Sequence, residues 1–451
     1  MVGCLSGTRS RRRSTRRWRR AEQGRSRPGL ILVGPEPGRS DRRTGRAMTT
    51  ALTPNADESE HATGALRWRD DLRVAAIWWA LSRVFFAGLA LVLDAAGRVV
   101  HPTAGVWPVN VFVRFDAGHL LRVTAYGYFT PDNGVNAYDE AFFPGYPFAS
   151  RTIARLIGLG RLDMDTAVAG AMAVTWLAAL GAGVLVVRIA REHLRISPHA
   201  AAAAYLLGPY AVFLMAPYTE ALFGLCTLAA WYLGEHRRWW AAIAAATLAC
   251  SARVNGLFVV VMLAVMMITQ SGRSAGRQPL WRPARDWWRL LALGIPVCAP
   301  LAYFVYLWAR TGDVLYWMTA QEKGWGRGSA WLGRVLVDSA RHITDAQTPA
   351  ASWQQGLEFV FLIVFCAACW WCLRRGRAEW AALVWLTLYS LSRGPVLLSL
   401  PRNCLDCFPV VLAMGAALSA ASSWRRWLLA AAGVAVAVIN TTTILADQWT
   451  G

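Results

Sequence analysis

The chain reads as an all-α polytopic membrane protein of about eleven transmembrane helices with a large first outer loop. Three observations predict this class. Of 451 residues, 55% are hydrophobic and only 16% charged, with a mean hydropathy of +0.32, a balance foreign to soluble domains. Apolar stretches approaching the ~20 residues that cross a bilayer recur along the chain. Tryptophan is abundant at 24, as expected where indoles anchor helix ends at the lipid–water boundary.

The elements follow in order. Residues 1–47 hold fourteen arginines and three acids, so they supply +11 of the formal +20. A segment this rich in Arg, Ser, Gly and Pro buries too little apolar surface to fold. Residues 1–70 are therefore expected to be a disordered cytoplasmic tail, with 48–66 also unstructured. Arg11-Arg-Arg-Ser-Thr-Arg-Arg17 has twin-arginine character, yet Leu30-Ile-Leu-Val33 is too short for the apolar region of a signal. Met48 is the preferred start, with the upstream residues a translation artefact or a tail able to touch anionic lipid. The remaining +9 is spread over short loops, which leaves nucleic-acid binding without support beyond the tail.

Spans are predicted at 74–95, 165–188, 199–216, 219–234, 239–252, 256–270, 290–309, 356–373, 379–399, 406–421 and 427–446. After the first span, Phe142-Phe-Pro-Gly-Tyr-Pro-Phe148 with Arg151 and Arg155 suggests an interfacial element, aromatics in the lipid boundary and arginines toward headgroups. Asp163 and Asp165 open the second span, where acids cap helices. Ser251-Ala-Arg-Val-Asn-Gly256 separates two short spans; the alternative is one broken helix with its polar break inside the membrane. Thr311-Gly-Asp313, near Tyr306, Arg310 and Trp317, reads as a surface turn. Cys366, Cys369 and Cys372 suit ordinary packing. Cys404 and Cys407 lack the second pair that a zinc ribbon needs, which leaves free thiols or a local disulfide.

Basic loop residues orient the chain. With the N-terminus in the cytoplasm, the arginine clusters at 67–73, 188–195, 237–238, 273–285, 374–377 and 425–426 all fall inside. That agreement favours two separate spans over 239–270. The outer side then receives loop 97–164, Ala216–Glu220, Arg253–Asn255, loop 310–354 and Leu400–Cys404. Polar groups gathered on one face, a deep arginine among them, mark a site.

Within that face, Arg114-Phe-Asp-Ala-Gly-His119 leads into Arg122 and Tyr128. Asp116 can serve as a general base, which needs only a carboxylate within reach of an acceptor hydroxyl; the plainer role is an ion pair with Arg114 or Arg122. His119 could bind phosphate or metal, or simply be a hydrogen-bonded structural imidazole. Asp139 and Glu140 form a second acidic pair with the same ambiguity. Tyr218 and Glu220 open a span, where Glu either caps the helix or accepts from a sugar hydroxyl. Arg253 and Asn255 sit in the break, and an arginine there needs a partner: lipid phosphate, Glu220 or Asp116. Arg402 is a second candidate phosphate clamp.

Together these residues resemble the PIG-V-like mannosyltransferases, multi-span GT-C glycosyltransferases. The resemblance rests on Arg114–His119 with Ala125-Tyr-Gly-Tyr128, Ala141-Phe-Phe-Pro-Gly-Tyr-Pro147, Pro217-Tyr-Thr-Glu-Ala-Leu-Phe223, Ala252-Arg-Val-Asn-Gly256 and Pro401-Arg402, and covers about residues 70–446. Phe115 stands where the family tends to have Trp, and Pro401-Arg-Asn-Cys404 where it tends to have Pro-Arg-Tyr. The resemblance implies a GT-C-like bundle over 71–446 and a polyprenyl-phosphate-mannose donor. Transfer would invert the anomeric carbon on the extracytoplasmic side of the cell membrane, to a glycolipid, lipoglycan or protein acceptor. Asp116 would be the base and Arg253 or Arg402 would hold the departing phosphate. Arg114, His119, Arg122, Tyr128, Glu140, Tyr146, Tyr218, Glu220 and Asn255 would bind substrate or position the loop. No resident cofactor is implied; arginine alone can hold the phosphate, and a divalent metal stays open. A transporter or lipid flippase, or a GT-C enzyme for arabinose or galactose, is the rival reading.

Overall fold

The computed structural model of the chain describes residues 56–102, 104–130, 138–274, 283–346 and 348–449. The arginine-rich tail 1–47 lies outside them. Among the described residues there is helix and irregular chain and no strand, so the all-α polytopic membrane fold holds.

Helix α1 spans Ala56–Ala95, reaching back into the stretch 56–66 read above as unstructured. The outer segment then carries α2 (Asp116–Ala125) and α3 (Gly145–Ile157). Next come α4 (Met164–Ile189), α5 (Pro198–Leu206), α6 (Glu220–Glu235), α7 (Trp239–Ala252) and α8 (Gly256–Ser274). They are followed by α9 (Pro283–Ala292), α10 (Gly294–Thr311), α11 (Tyr316–Trp325) and α12 (Leu332–Thr344). The C-terminal part holds α13 (Pro349–Arg374), α14 (Ala378–Leu391), the single turn α15 (Leu400–Asn403), α16 (Phe408–Ala420) and α17 (Ser423–Leu445). Helical segments fall in all eleven apolar stretches, and among the described residues five are long and apolar enough to cross a membrane: Arg67–Ala95, Met164–Leu194, Trp288–Thr311, Pro349–Arg374 and Ser423–Leu445.

Several expectations are corrected. The span expected at 199–216 stops at Leu206, because Gly208-Pro209 follows: proline lacks the N–H and disfavours helix in the residue before it. The span expected at 379–399 stops at Leu391, ahead of Gly394-Pro395. Loop 310–354, given no secondary structure above, contains α11 and α12. The reading of 239–270 as two helices stands, and the chain between them turns so tightly that a Cβ on Gly256 would lie 2.4 Å from the Cys250 backbone. Arg151 does not face headgroups: its Nε donates to the Thr124 carbonyl at 2.8 Å and its Nη2 to Ala125 at 2.9 Å, capping the C-terminus of α2. Cys404 and Cys407 are free, buried thiols, and of the cysteine run 366–372 only Cys372 is buried.

Other readings stand. Asp163 caps α4 in a reciprocal box with Thr166, and Asp313 accepts from the Leu315 N–H at 2.8 Å in its turn. Small residues let backbones approach closely: a Cβ on Gly170 of α4 would lie 2.5 Å from the Ser150 carbonyl oxygen of α3. The aromatic core joins α6, α14 and α16, with Trp231 and Trp380 ring centroids 5.1 Å apart and Trp380 and Phe408 5.6 Å apart.

Two features position the site. Helices α7 and α14, of 14 residues each, are about 21 Å long, short of the ~30 Å hydrocarbon layer. The cavity opens where they end, at Ala252–Asn255 and at Ser390–Leu391. At the opposite ends of α6 and α7 sit Arg237 and Arg238, and the arginines of that face are partly internal staples. Arg188 pairs with buried Asp71 at 3.0 Å and Arg377 with Glu235 at 2.8 Å.

Candidate active site

A cavity of about 820 Å³ opens between α2, α11, the α7–α8 turn, the end of α14 and the segment Leu398–Asn403. Its size suits a ligand pocket, typically about 300–1,000 Å³. Asp116, His119, Arg253, Asn255 and Arg402 line it, so five of the twelve residues singled out from sequence converge there.

Asp116 is the first residue of α2, where the helix dipole favours a carboxylate. The residue before it, Phe115, is held at φ 49° and packs edge-on against Trp449 at 5.1 Å between centroids. A phenylalanine in the left-handed region costs about 1–3 kcal/mol, and such strain gathers where the chain must aim a functional group. Asp116 Oδ2 accepts from Arg402 Nη1 at 2.7 Å, and its Oδ1 accepts from Trp325 Nε1 at 3.3 Å. The expected partners Arg114 and Arg122 do not pair with it. Arg114 is buried, approaches Asp447 at 3.8 Å and accepts through its carbonyl from Tyr218 Oη at 2.7 Å. Arg122 grips Asp139 with two bonds, Nη2 to Oδ1 at 2.7 Å and Nε to Oδ2 at 3.1 Å.

Asp139 is 1% exposed and also meets His119, Nδ1 to Oδ1 at 2.6 Å. The imidazole lies over Phe142 and tilts against Trp325, so its ring is fixed from three sides.

Behind Asp116 lies an ionic hub. Glu220, wholly buried at the start of α6, accepts through Oε1 from both Arg402 Nε and Arg253 Nη1, the latter at 2.9 Å. Arg253 Nη1 also approaches Asp406 Oδ2 at 2.9 Å, and its Nη2 donates to Asn403 Oδ1 at 3.2 Å. Arg402 lies over the rings of Tyr218 at 4.7 Å and Phe213 at 5.0 Å. Three carboxylates thus meet two guanidiniums. The loop bearing Arg402 is itself pinned: Glu358 of α13 accepts the Ser399 N–H at 2.7 Å and the Leu400 N–H at 2.9 Å.

The remaining predicted residues do not line the cavity. Tyr128 donates to the Phe142 carbonyl at 2.7 Å, and Tyr146, fully buried, bonds Thr175 and the Ala171 carbonyl. Glu140 is buried, with its carbonyl accepting from Tyr303 at 2.8 Å. Burial pushes its carboxyl pKa up, and neighbouring Asp139 adds to the shift. Sequence reasoning missed Trp325, Arg327, Asp406, Glu358 and Trp449. Asp406 follows Arg402 by one turn, which is a usable signal; the others carry none in sequence.

A family model described as Mannosyltransferase (PIG-V) matches residues 89–312. The chain is 32% identical over 159 residues to mouse GPI alpha-1,6-mannosyltransferase 2, a match covering 32% of this chain and 29% of that protein. It is 30% identical over 212 residues to the human protein of the same name, covering 43% of this chain and 40% of that one. The chain therefore spans well under half the length of these curated relatives. The matched region carries Asp116, His119, Glu220, Arg253 and Asn255, while Arg402 and Asp406 lie beyond it. Over residues 89–312 the chain is thus similar to the Mannosyltransferase (PIG-V) family.

Proposed function

We propose that this chain is a multi-pass membrane mannosyltransferase. It moves mannose from a polyprenyl-phosphate-mannose donor to a glycolipid, lipoglycan or protein acceptor on the extracytoplasmic face of the cell membrane, with its N-terminus in the cytoplasm. The curated relatives are named for mannosyl transfer, and this chain's family match covers the segment that builds the front of the cavity. The observation that carries the reading is Asp116, a carboxylate at a helix N-terminus in the cavity wall, clamped through one oxygen by Arg402.

The chemistry follows from that clamp. Oδ2 is committed to Arg402, while Oδ1 holds only the longer indole bond, so Oδ1 is the oxygen that takes the acceptor's hydroxyl proton. The acceptor oxygen bonds to the anomeric carbon from one face as the carbon–phosphate-oxygen bond breaks on the other. The electron pair leaves with the lipid phosphate, and the centre inverts. The aromatic lining, including Phe142, Trp325 and Trp449, offers apolar faces to the sugar.

A second reading concerns the base alone. The 2.6 Å contact of Asp139 with His119 Nδ1, an atom that Arg122 Nη2 also meets at 2.8 Å, fixes that imidazole at the cavity wall. Membranes containing wild type, Asp116→Asn or His119→Gln, given radiolabelled polyprenyl-phosphate mannose and a lipid extract, decide between them. Loss of transfer by about 10³-fold in Asp116→Asn, with His119→Gln within about tenfold of wild type, supports Asp116. The reverse order assigns the base to His119, and an inert wild type refutes the donor class.

A further inference from the structure

The two arginines that the sequence offers for the lipid phosphate are both spoken for. Arg402 is paired to Asp116 and Glu220, and Arg253 to Glu220 and Asp406. With three carboxylates against two guanidiniums, the hub carries a formal excess of one negative charge. An incoming phosphodiester would have to strip a buried carboxylate from its partner, which costs several kcal/mol. A phosphate subsite here needs another cation.

Arg327 supplies it. It lies in the short connection between α11 and α12 and lines the cavity together with Arg253, Arg402 and Asp116. Among the described residues its guanidinium forms no hydrogen bond or ion pair, and its side chain is exposed to the cavity. Its pKa is lowered, first by loss of hydration and then by repulsion from Arg253 and Arg402, with Asp116 pulling the other way, which puts it in the field of the hub. An arginine stays charged through such a shift. Flanking Gly326 and Gly328 leave the space beside it empty, with nothing within 4 Å of a Cβ at either position.

The surroundings favour a lipid-borne anion over a free one. Val314, Leu315 and Met318 before Arg327, and Trp331 and Leu332 after it, are all exposed large apolar side chains. At 68% exposed, Trp331 presents a broad apolar surface four residues from an uncommitted guanidinium. That pairing fits an anionic head on a hydrocarbon chain.

We propose that Arg327 binds the phosphate of a polyprenyl-phosphate substrate, with the apolar fringe at 314–318 and 331–332 receiving the start of its chain, while Arg253 and Arg402 hold the protein's own carboxylates. This rests on the donor class proposed above. In the transfer, the C1–O bond breaks toward the phosphate, whose charge grows by one, and Arg327 meets that charge.

The test uses the full-length protein in detergent micelles, as wild type, Arg327→Gln, Arg327→Lys and, as a control on an exposed residue outside the cavity, Lys323→Gln. Two measurements are made: transfer kinetics with polyprenyl-phosphate mannose, and direct binding of farnesyl phosphate and of inorganic phosphate. Arg327→Gln should raise the donor KM and weaken farnesyl phosphate binding by about tenfold or more, the loss of one charge-assisted contact. Arg327→Lys should recover part of both, the acceptor KM should not move, and Lys323→Gln should match wild type. Unchanged farnesyl phosphate binding in Arg327→Gln overturns the proposal. So does a rise in acceptor KM alone, or inorganic phosphate binding as tightly as the farnesyl ester. If wild type transfers nothing, the donor class fails separately, and the farnesyl phosphate measurement still decides the role of Arg327.

Discussion

Replacing Glu220 by Gln tests the ionic hub most directly. Gln keeps the oxygen that faces both Arg402 and Arg253 and removes only the charge. The second carboxylate oxygen has no hydrogen-bond partner among the described residues, so the new amide NH₂ enters a buried spot without an acceptor. A hydrogen bond to a charged group is worth about 1.5–3 kcal/mol and a neutral one about 0.5–1.5. Two such bonds therefore lose about 2–3 kcal/mol together, toward the lower edge of what breaking a buried ion pair costs. At 1.4 kcal/mol per decade, that is about a hundredfold in the folding equilibrium. Reversible unfolding by SDS in mixed micelles measures it, with far-ultraviolet circular dichroism as readout. Glu220→Asp should be as damaging, because the shorter side chain cannot reach both guanidiniums. The double variant Glu220→Gln/Arg402→Gln should lose less than the sum of the singles, because the two residues share one interaction. A Glu220→Gln protein within about 0.5 kcal/mol of wild type would refute the hub as the support of the site, since only surface substitutions are that mild.

Three further outcomes are expected. Glu358→Gln presents an NH₂ to one of the two backbone N–H groups it now accepts, so stability should fall by about 1–3 kcal/mol and kcat should drop as Arg402 loses its seat; equal kcat in both proteins would rule out that positioning role. Gly256→Ala puts a methyl 2.4 Å from the Cys250 backbone, so the α7–α8 turn must open and displace Arg253; thermal unfolding in detergent should show a severe loss, and a wild-type midpoint would contradict the tight turn. Glu140 has its folded pKa raised by burial, so the wild type keeps its stability below the unfolded carboxyl value of about 4.3 and loses it as pH rises through the folded value. Glu140→Gln should therefore match wild type near pH 4 and be more stable at pH 7; equal stability at both pH values would show that the carboxyl is solvated.

What the sequence determined by itself is the class of molecule and where its polar chain lies. Length and apolarity dictate helices in a membrane, since only internally bonded backbone survives there. The motif Arg114–His119 and the break Arg253–Asn255 are likewise local, because polar residues between apolar runs are costly enough to mark themselves. Tertiary structure alone decided who pairs with whom. Asp116 and Arg402 are 286 positions apart, and Glu220 and Arg402 are 182 apart, so no spacing rule joins them. Hydrophobicity sets how deep a helix sits but not its rotation or its neighbours. Helix packing therefore turned Arg253 and Arg402 toward buried carboxylates and left Arg327 facing the cavity, a division of labour between chemically identical side chains that no reading of the sequence distinguishes.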